Sequence, residues 1–166
     1  MVKRGGNSAI AGKARRRASV LEKVKIHNKD IALLALAAAW LCLAWLLIDL
    51  LPFKLYRKMM RPPIGKPLLQ RDAALAFTKR VSWAVGAAAR RVPWRAVCFH
   101  QGLATHQMLC RAGVPTVMHF GVAKSIDKGL DAHVWVTANG RIVSGEQAQD
   151  RFTVLGVFTG IDTSVK

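Results

Sequence analysis

An α+β fold is predicted, with helices packed on a small antiparallel sheet and an apolar helix in front of them. Three features predict it. Residues Ile31 to Ile48 form an unbroken 18-residue apolar run. Two stretches, Asp72 to Arg90 and Cys98 to Arg111, carry apolar residues at helical spacing and end in helix stops. From Thr116 to Phe158 the pattern turns to β-branched and aromatic residues, punctuated by Asn139-Gly140, a strong hairpin signal.

Composition sets the frame for these elements. A chain of 166 residues with 52% hydrophobic content can bury one ordinary core. Its formal charge of +17 is uneven: residues 1–70 hold 14 Lys+Arg against 3 acids, residues 71–166 hold 12 against 6. The excess suits an anionic membrane surface, nucleic acid or an acidic peptide. No aromatic-basic array or binding motif accompanies it, so no nucleic-acid partner is expected. Three cysteines, Cys42, Cys98 and Cys110, are an odd number at irregular spacing. Neither a disulfide framework nor a zinc motif is indicated, and a reducing cytoplasm is the expected location.

Residues 1–30 lack a sustained apolar period and carry the cluster Lys13-Ala14-Arg15-Arg16-Arg17, so a mobile basic tail is expected. Residues 31–61 read as an apolar helix with basic flanks. The run just reaches the length of a membrane span, but Lys and Arg on both sides give no orientation. A helix at a membrane surface or against a partner explains this pattern as well as a span does. Pro62-Pro63-Ile64-Gly65-Lys66-Pro67 opens a stiff linker over 62–70, and residues 71–166 form the main domain.

Within that domain the helix over Asp72 to Arg90 is followed by Pro93. The second helix begins at Cys98 and stops at Gly113, with Pro115 beyond. Thr116 to Val122 and Ala132 to Ala138 read as strands, and Arg141 to Ser144 return after the turn. Phe152 to Phe158 adds the last strand.

Cys98 falls in the first turn of its helix, where unpaired N–H groups favour negative charge on a thiolate or an oxyanion. Arg91 and Arg95 lie just upstream. A base for this thiol should come from another element. His100 points about 200° away around the helix axis and His106 sits about two turns along it. Both are expected to be solvated or capping. His133, on the strand before the turn, can be presented to the helix by a rigid sheet. If Asn139-Gly140 form a two-residue loop, Ala138 opposes Arg141, Trp135 opposes Ser144 and His133 opposes Glu146. Glu146 would then orient the imidazole. His106 and Cys110 stand at i and i+4, but no further ligands join them, so neither a metal nor a cofactor is expected.

Three stretches, Pro93-Trp94-Arg95-Ala96-Val97-Cys98, Leu109-Cys110-Arg111-Ala112-Gly113-Val114-Pro115 and Ala132-His133-Val134-Trp135-Val136 with Asn139-Gly140-Arg141, taken together resemble the lasso-peptide leader peptidases. These are transglutaminase-like proteins that process microcin-type precursors. The resemblance covers most of residues 70–158, and Leu50-Leu51-Pro52-Phe53 is similar to that family too. It implies a transglutaminase-like, papain-like cysteine peptidase core with Cys98 as nucleophile and His133 as base. Glu146 stands where the family usually has Asp. The resemblance also implies a precursor peptide as substrate, a separate leader-binding protein and an ATP-dependent macrolactam cyclase as partners. An inactive scaffold and an acyl transferase are the alternatives, the latter using the same Cys-His pair with an amine in place of water.

Overall fold

The computed structural model describes residues 28–64, 71–125, 129–145 and 149–162. Nearly all of the tail expected over 1–30, residues 65–70 of the expected linker, and Glu146 lie outside the described residues. The elements in chain order are α1 (Asn28–Leu50), α2 (Phe53–Tyr56), a 3-10 turn (Arg57–Met60), β1 (Pro63–Ile64), α3 (Arg71–Ala89) and α4 (Cys98–Arg111). Then follow β2 (Thr116–Ser125), β3 (Gly129–Ala138), β4 (Arg141–Ser144), a 3-10 turn (Gln149–Arg151), β5 (Thr153–Thr159) and β6 (Ile161–Asp162). A four-stranded antiparallel sheet has the order β4-β3-β2-β5, and β1 pairs separately with β6.

Helix α4 is the centre of the molecule. Every residue from Gly102 to Cys110 is buried, because α4 lies on the sheet and is covered by other helices. It approaches β3 so closely at Gly102 that a Cβ there would stand 2.8 Å from Val134 Cγ1, so only glycine fits. Val134, Val136, Met118 and Leu103 form the cluster between helix and sheet. Val81, Ala84 and Val85 of α3 pack with Ala104, Met108 and Leu109 of α4 in a second cluster.

The apolar helix is not the separate module expected over 31–61. Leu33, Ala37 and Leu41 of α1 join the α3–α4 cluster, and Ala44 joins the helix–sheet cluster with Tyr56 and Met60. Spacings of four, four and three make one buried stripe, and Ala32–Lys166 form one compact unit. The described start of the expected linker is likewise packed: Pro62 is fully buried and Ile64 pairs in β1. Apolar side chains without charged neighbours gain more from a dry core than from a mobile tether, roughly 25 cal/mol per Å² of apolar surface.

The hairpin forms at the expected place. Asn139 and Gly140 both have positive φ, 51° and 72°, as a two-residue type I′ turn requires, and Ala138 opposes Arg141. The ladder then shifts: Thr137 faces Ile142 but Val136 faces Ser144, so a bulge intervenes near Val143. The pairing of Trp135 with Ser144, on which the placement of Glu146 opposite His133 rested, does not occur. One extra residue changes which side chains share a face beyond it.

Candidate functional site

Cys98 is the first residue of α4 and is partly buried against the helix–sheet cluster. Its N-cap, Val97, has an extended backbone and makes no side-chain capping bond. The first amides of the helix, those of Cys98 and Phe99 among them, therefore have no intrahelical acceptor and no capping side chain. Among the described residues the Cys98 thiol has no hydrogen-bond partner.

The turn that carries Cys98 is held from α1. Trp45 stacks on Trp94 with ring centroids 5.6 Å apart. Asp49 Oδ2 lies 2.8 Å from His100 Nε2, while His100 Nδ1 accepts the Val97 N–H at 3.2 Å. Nε2 therefore carries the proton given to Asp49. His100 is a buried cap, one of the two roles expected for it, and it ties the Cys98 turn to α1. Arg91 donates to the Ala87 carbonyl at 2.8 Å and so closes the end of α3. Sequence reasoning missed Asp49 and Trp45; the one signal was that Asp49 is the lone acid at the end of an apolar run.

His133 lies on β3, half-buried, opposite Gly121. Side chains alternate across a strand, so Val134 and Val136 meet α4 and His133 and Trp135 occupy the other face. There His133 stacks on Trp135 (6.0 Å) and leans on Phe152 (5.1 Å). His119 lies flat on the same indole at 5.2 Å and bonds Thr137 Oγ1 at 3.0 Å. His133 Nε2 donates to the Gly145 carbonyl at 2.9 Å, which leaves Nδ1 as the basic nitrogen. The structure thus brings His133 together with Trp135, Phe152 and Gly145, and not with Cys98, which sits on the helix face. Among the described residues β4 pairs with Val136 to Ala138, and Gly145, which follows it, lies against the Val134 carbonyl and Trp135, so His133 sits beside Gly145 at the edge of β3.

A second Cys and His meet inside the core. His106 donates from Nε2 to the Met60 carbonyl (3.1 Å), its Nδ1 accepts from Thr116 Oγ1 (2.6 Å), and Cys110 Sγ lies 3.1 Å from the same hydroxyl. Gln107 donates to the Met59 carbonyl. Both the ring and the thiol are fully buried. Burial pushes the Cys110 thiol up and lowers His106 to about 4. This network is structural: it fastens the 3-10 turn to α4, and the solvated or capping role expected of His106 does not occur, because α4 has no solvent face at that position.

A pH dependence follows. The unfolded His106 takes up its proton near the ordinary value of 6.5, the folded one only near 4. Stability from this group is complete above about 6.5 and is lost as pH falls through about 4, ~3 kcal/mol in all. Urea midpoints measured from pH 7 to pH 4 should fall accordingly. His106→Gln should flatten the slope, and an unchanged slope in that variant would exclude the ring as its source.

The family model of the transglutaminase-like superfamily matches residues 33–157. That span opens inside α1, at Leu33, where the core packing of this helix begins. No curated protein and no solved structure matches the chain.

Proposed function

We propose that this chain, which belongs to the transglutaminase-like superfamily, is a cysteine peptidase that removes the leader from a ribosomally made lasso-peptide precursor. The superfamily includes cysteine peptidases and commonly has cysteine-type activity. The observation that carries the proposal is Cys98 at the first turn of α4, partly exposed to solvent, with the Cys98 and Phe99 amides free of a capping side chain to receive an oxyanion. His133 is the proposed base. Its Nε2–H is already engaged by the Gly145 carbonyl, which supplies the orienting acceptor, so Nδ1 is the nitrogen left to take the thiol proton. The edge of β3 beside Gly145 must part so that the ring can reach the helix side. Binding of precursor and leader-binding protein at that edge is the proposed trigger. Glu146 is proposed as a further acceptor for the ring.

In the proposed reaction Cys98 Sγ gives its proton to His133 and attacks the carbonyl carbon of the last leader residue. The C–N bond breaks, His133 protonates the departing amine of the core peptide, and a thioester to the leader remains. Water, deprotonated by His133, hydrolyses the thioester and releases the leader carboxylate. The freed core amine is what an ATP-dependent macrolactam cyclase needs. Mass spectrometry of precursor incubated with this protein and the leader-binding protein tests the proposal; intact precursor would refute it.

The separation of Cys98 and His133 by the sheet favours one second reading, a transglutaminase-like scaffold without catalysis. Iodoacetamide near neutral pH tells the two apart. A working Cys98 is expected to be alkylated on the order of 10² times faster than buried Cys110 and well ahead of Cys42, the other partly exposed thiol. Equal slow labelling of Cys98 and Cys42 favours the scaffold.

A further inference from the structure

Helix α1 is apolar all round, yet among its described side chains Leu33, Ala37, Leu41 and Ala44 are the fully buried ones. Its other side exposes Ile31, Leu36, Leu46 and Leu50, and the chain continues with exposed Leu51, Phe53 and Leu55. Leu50 is 65% and Leu55 62% exposed, which is costly for leucine in water. Exposed Lys54, Arg57, Lys58 and Arg61 are interleaved with and follow these residues. None of the four has a carboxylate partner among the described residues. The one acid nearby, Asp49, is engaged by His100.

By length and composition α1 could cross a bilayer. Its packing argues against it. Leu33 to Leu41 contact the α3–α4 cluster, Trp40 lies under the Arg111 guanidinium at 5.2 Å, and Asp49 meets His100 at the other end of α4. An upright α1 would carry α4, with Arg111 at one end and the His100–Asp49 pair at the other, into hydrocarbon. A helix with one stripe in a protein core, an apolar opposite side and cations at one end fits the plane of a membrane surface.

We infer that the outer side of α1, together with Leu50 to Leu55, docks on an anionic lipid bilayer, with Lys54, Arg57, Lys58 and Arg61 on the headgroups. The apolar edge supplies insertion and the four cations supply selectivity for negative charge. The surface includes neither Cys98 nor His133, and vesicle binding is read without any cleavage, so the inference does not rest on the peptidase proposal.

The test is co-sedimentation of the full chain with vesicles of phosphatidylglycerol mixed with phosphatidylcholine, and with phosphatidylcholine alone. Binding is expected to the anionic vesicles, weakened by salt. The quadruple variant Lys54→Gln, Arg57→Gln, Lys58→Gln, Arg61→Gln and the triple variant Leu51→Asp, Phe53→Asp, Leu55→Asp should each weaken it by about tenfold or more. Both variants alter exposed side chains, and matching near-ultraviolet circular dichroism verifies their fold. Cys98→Ala should bind like wild type. Wild-type protein that stays in the supernatant overturns the inference, as does a quadruple variant that binds undiminished. A wild-type dimer that the triple variant dissociates, without vesicle binding, overturns it in favour of a second copy on this face.

Discussion

Cys98→Ala is expected to abolish the proposed leader release, a loss on the order of 10⁴-fold or more, while leaving the fold intact. The thiol is the only group at the head of α4 able to form the acyl intermediate, and the free amides beside it cannot replace a nucleophile. Because Cys98 is only partly buried and has no hydrogen-bond partner among the described residues, its removal should cost about 1 kcal/mol or less. Precursor cleavage by mass spectrometry and a urea titration measure the two effects separately. His133→Ala makes the informative comparison. A general base contributes typically 10²–10⁴-fold, so this variant should retain a trace of cleavage where Cys98→Ala retains none. Wild-type cleavage by Cys98→Ala would refute the nucleophile assignment. Wild-type cleavage by His133→Ala would show that the ring stays on the far face of the sheet throughout.

Removal of residues 1–65 is expected to leave a chain that does not fold. The fragment beginning at Lys66 lacks Leu33, Ala37 and Leu41 from one cluster and Ala44, Tyr56 and Met60 from the other. Leu41, fully buried, would by itself cost about 2–5 kcal/mol on truncation to alanine. The fragment also loses the Met60 and Met59 carbonyls that satisfy His106 and Gln107 inside α4, and it leaves both side chains buried without those partners. Against a total stability of about 5–15 kcal/mol these losses are decisive. Thermal unfolding followed by circular dichroism should show no cooperative transition. A fragment that melts cooperatively would restore the apolar segment to the status of a detachable module.

The bounds of α4, from Cys98 to Arg111, and the hairpin at Asn139-Gly140 were legible in the chain because each rests on short-range physics. A connection broken by Pro93, a glycine stop before proline, and two residues that tolerate positive φ act over a few neighbours. The position of Cys98 at a helix start was legible for the same reason; the transglutaminase-like family was legible only through the resemblance carried by the stretches around Cys98, Gly113 and His133.

The tertiary structure alone decided three things. It buried one stripe of α1, because a helix apolar on every side carries no mark of which side meets protein. It shifted the β3–β4 ladder by one residue near Val143, because bulges answer to the packing of both faces rather than to the turn that starts the hairpin. And it laid α4 on the valine face of β3, so that His133, which alternation already sets on the face opposite Val134 and Val136, is turned from the helix instead of being presented to it. Val134 and Val136, close enough to exclude even a methyl group at Gly102, hold the helix there.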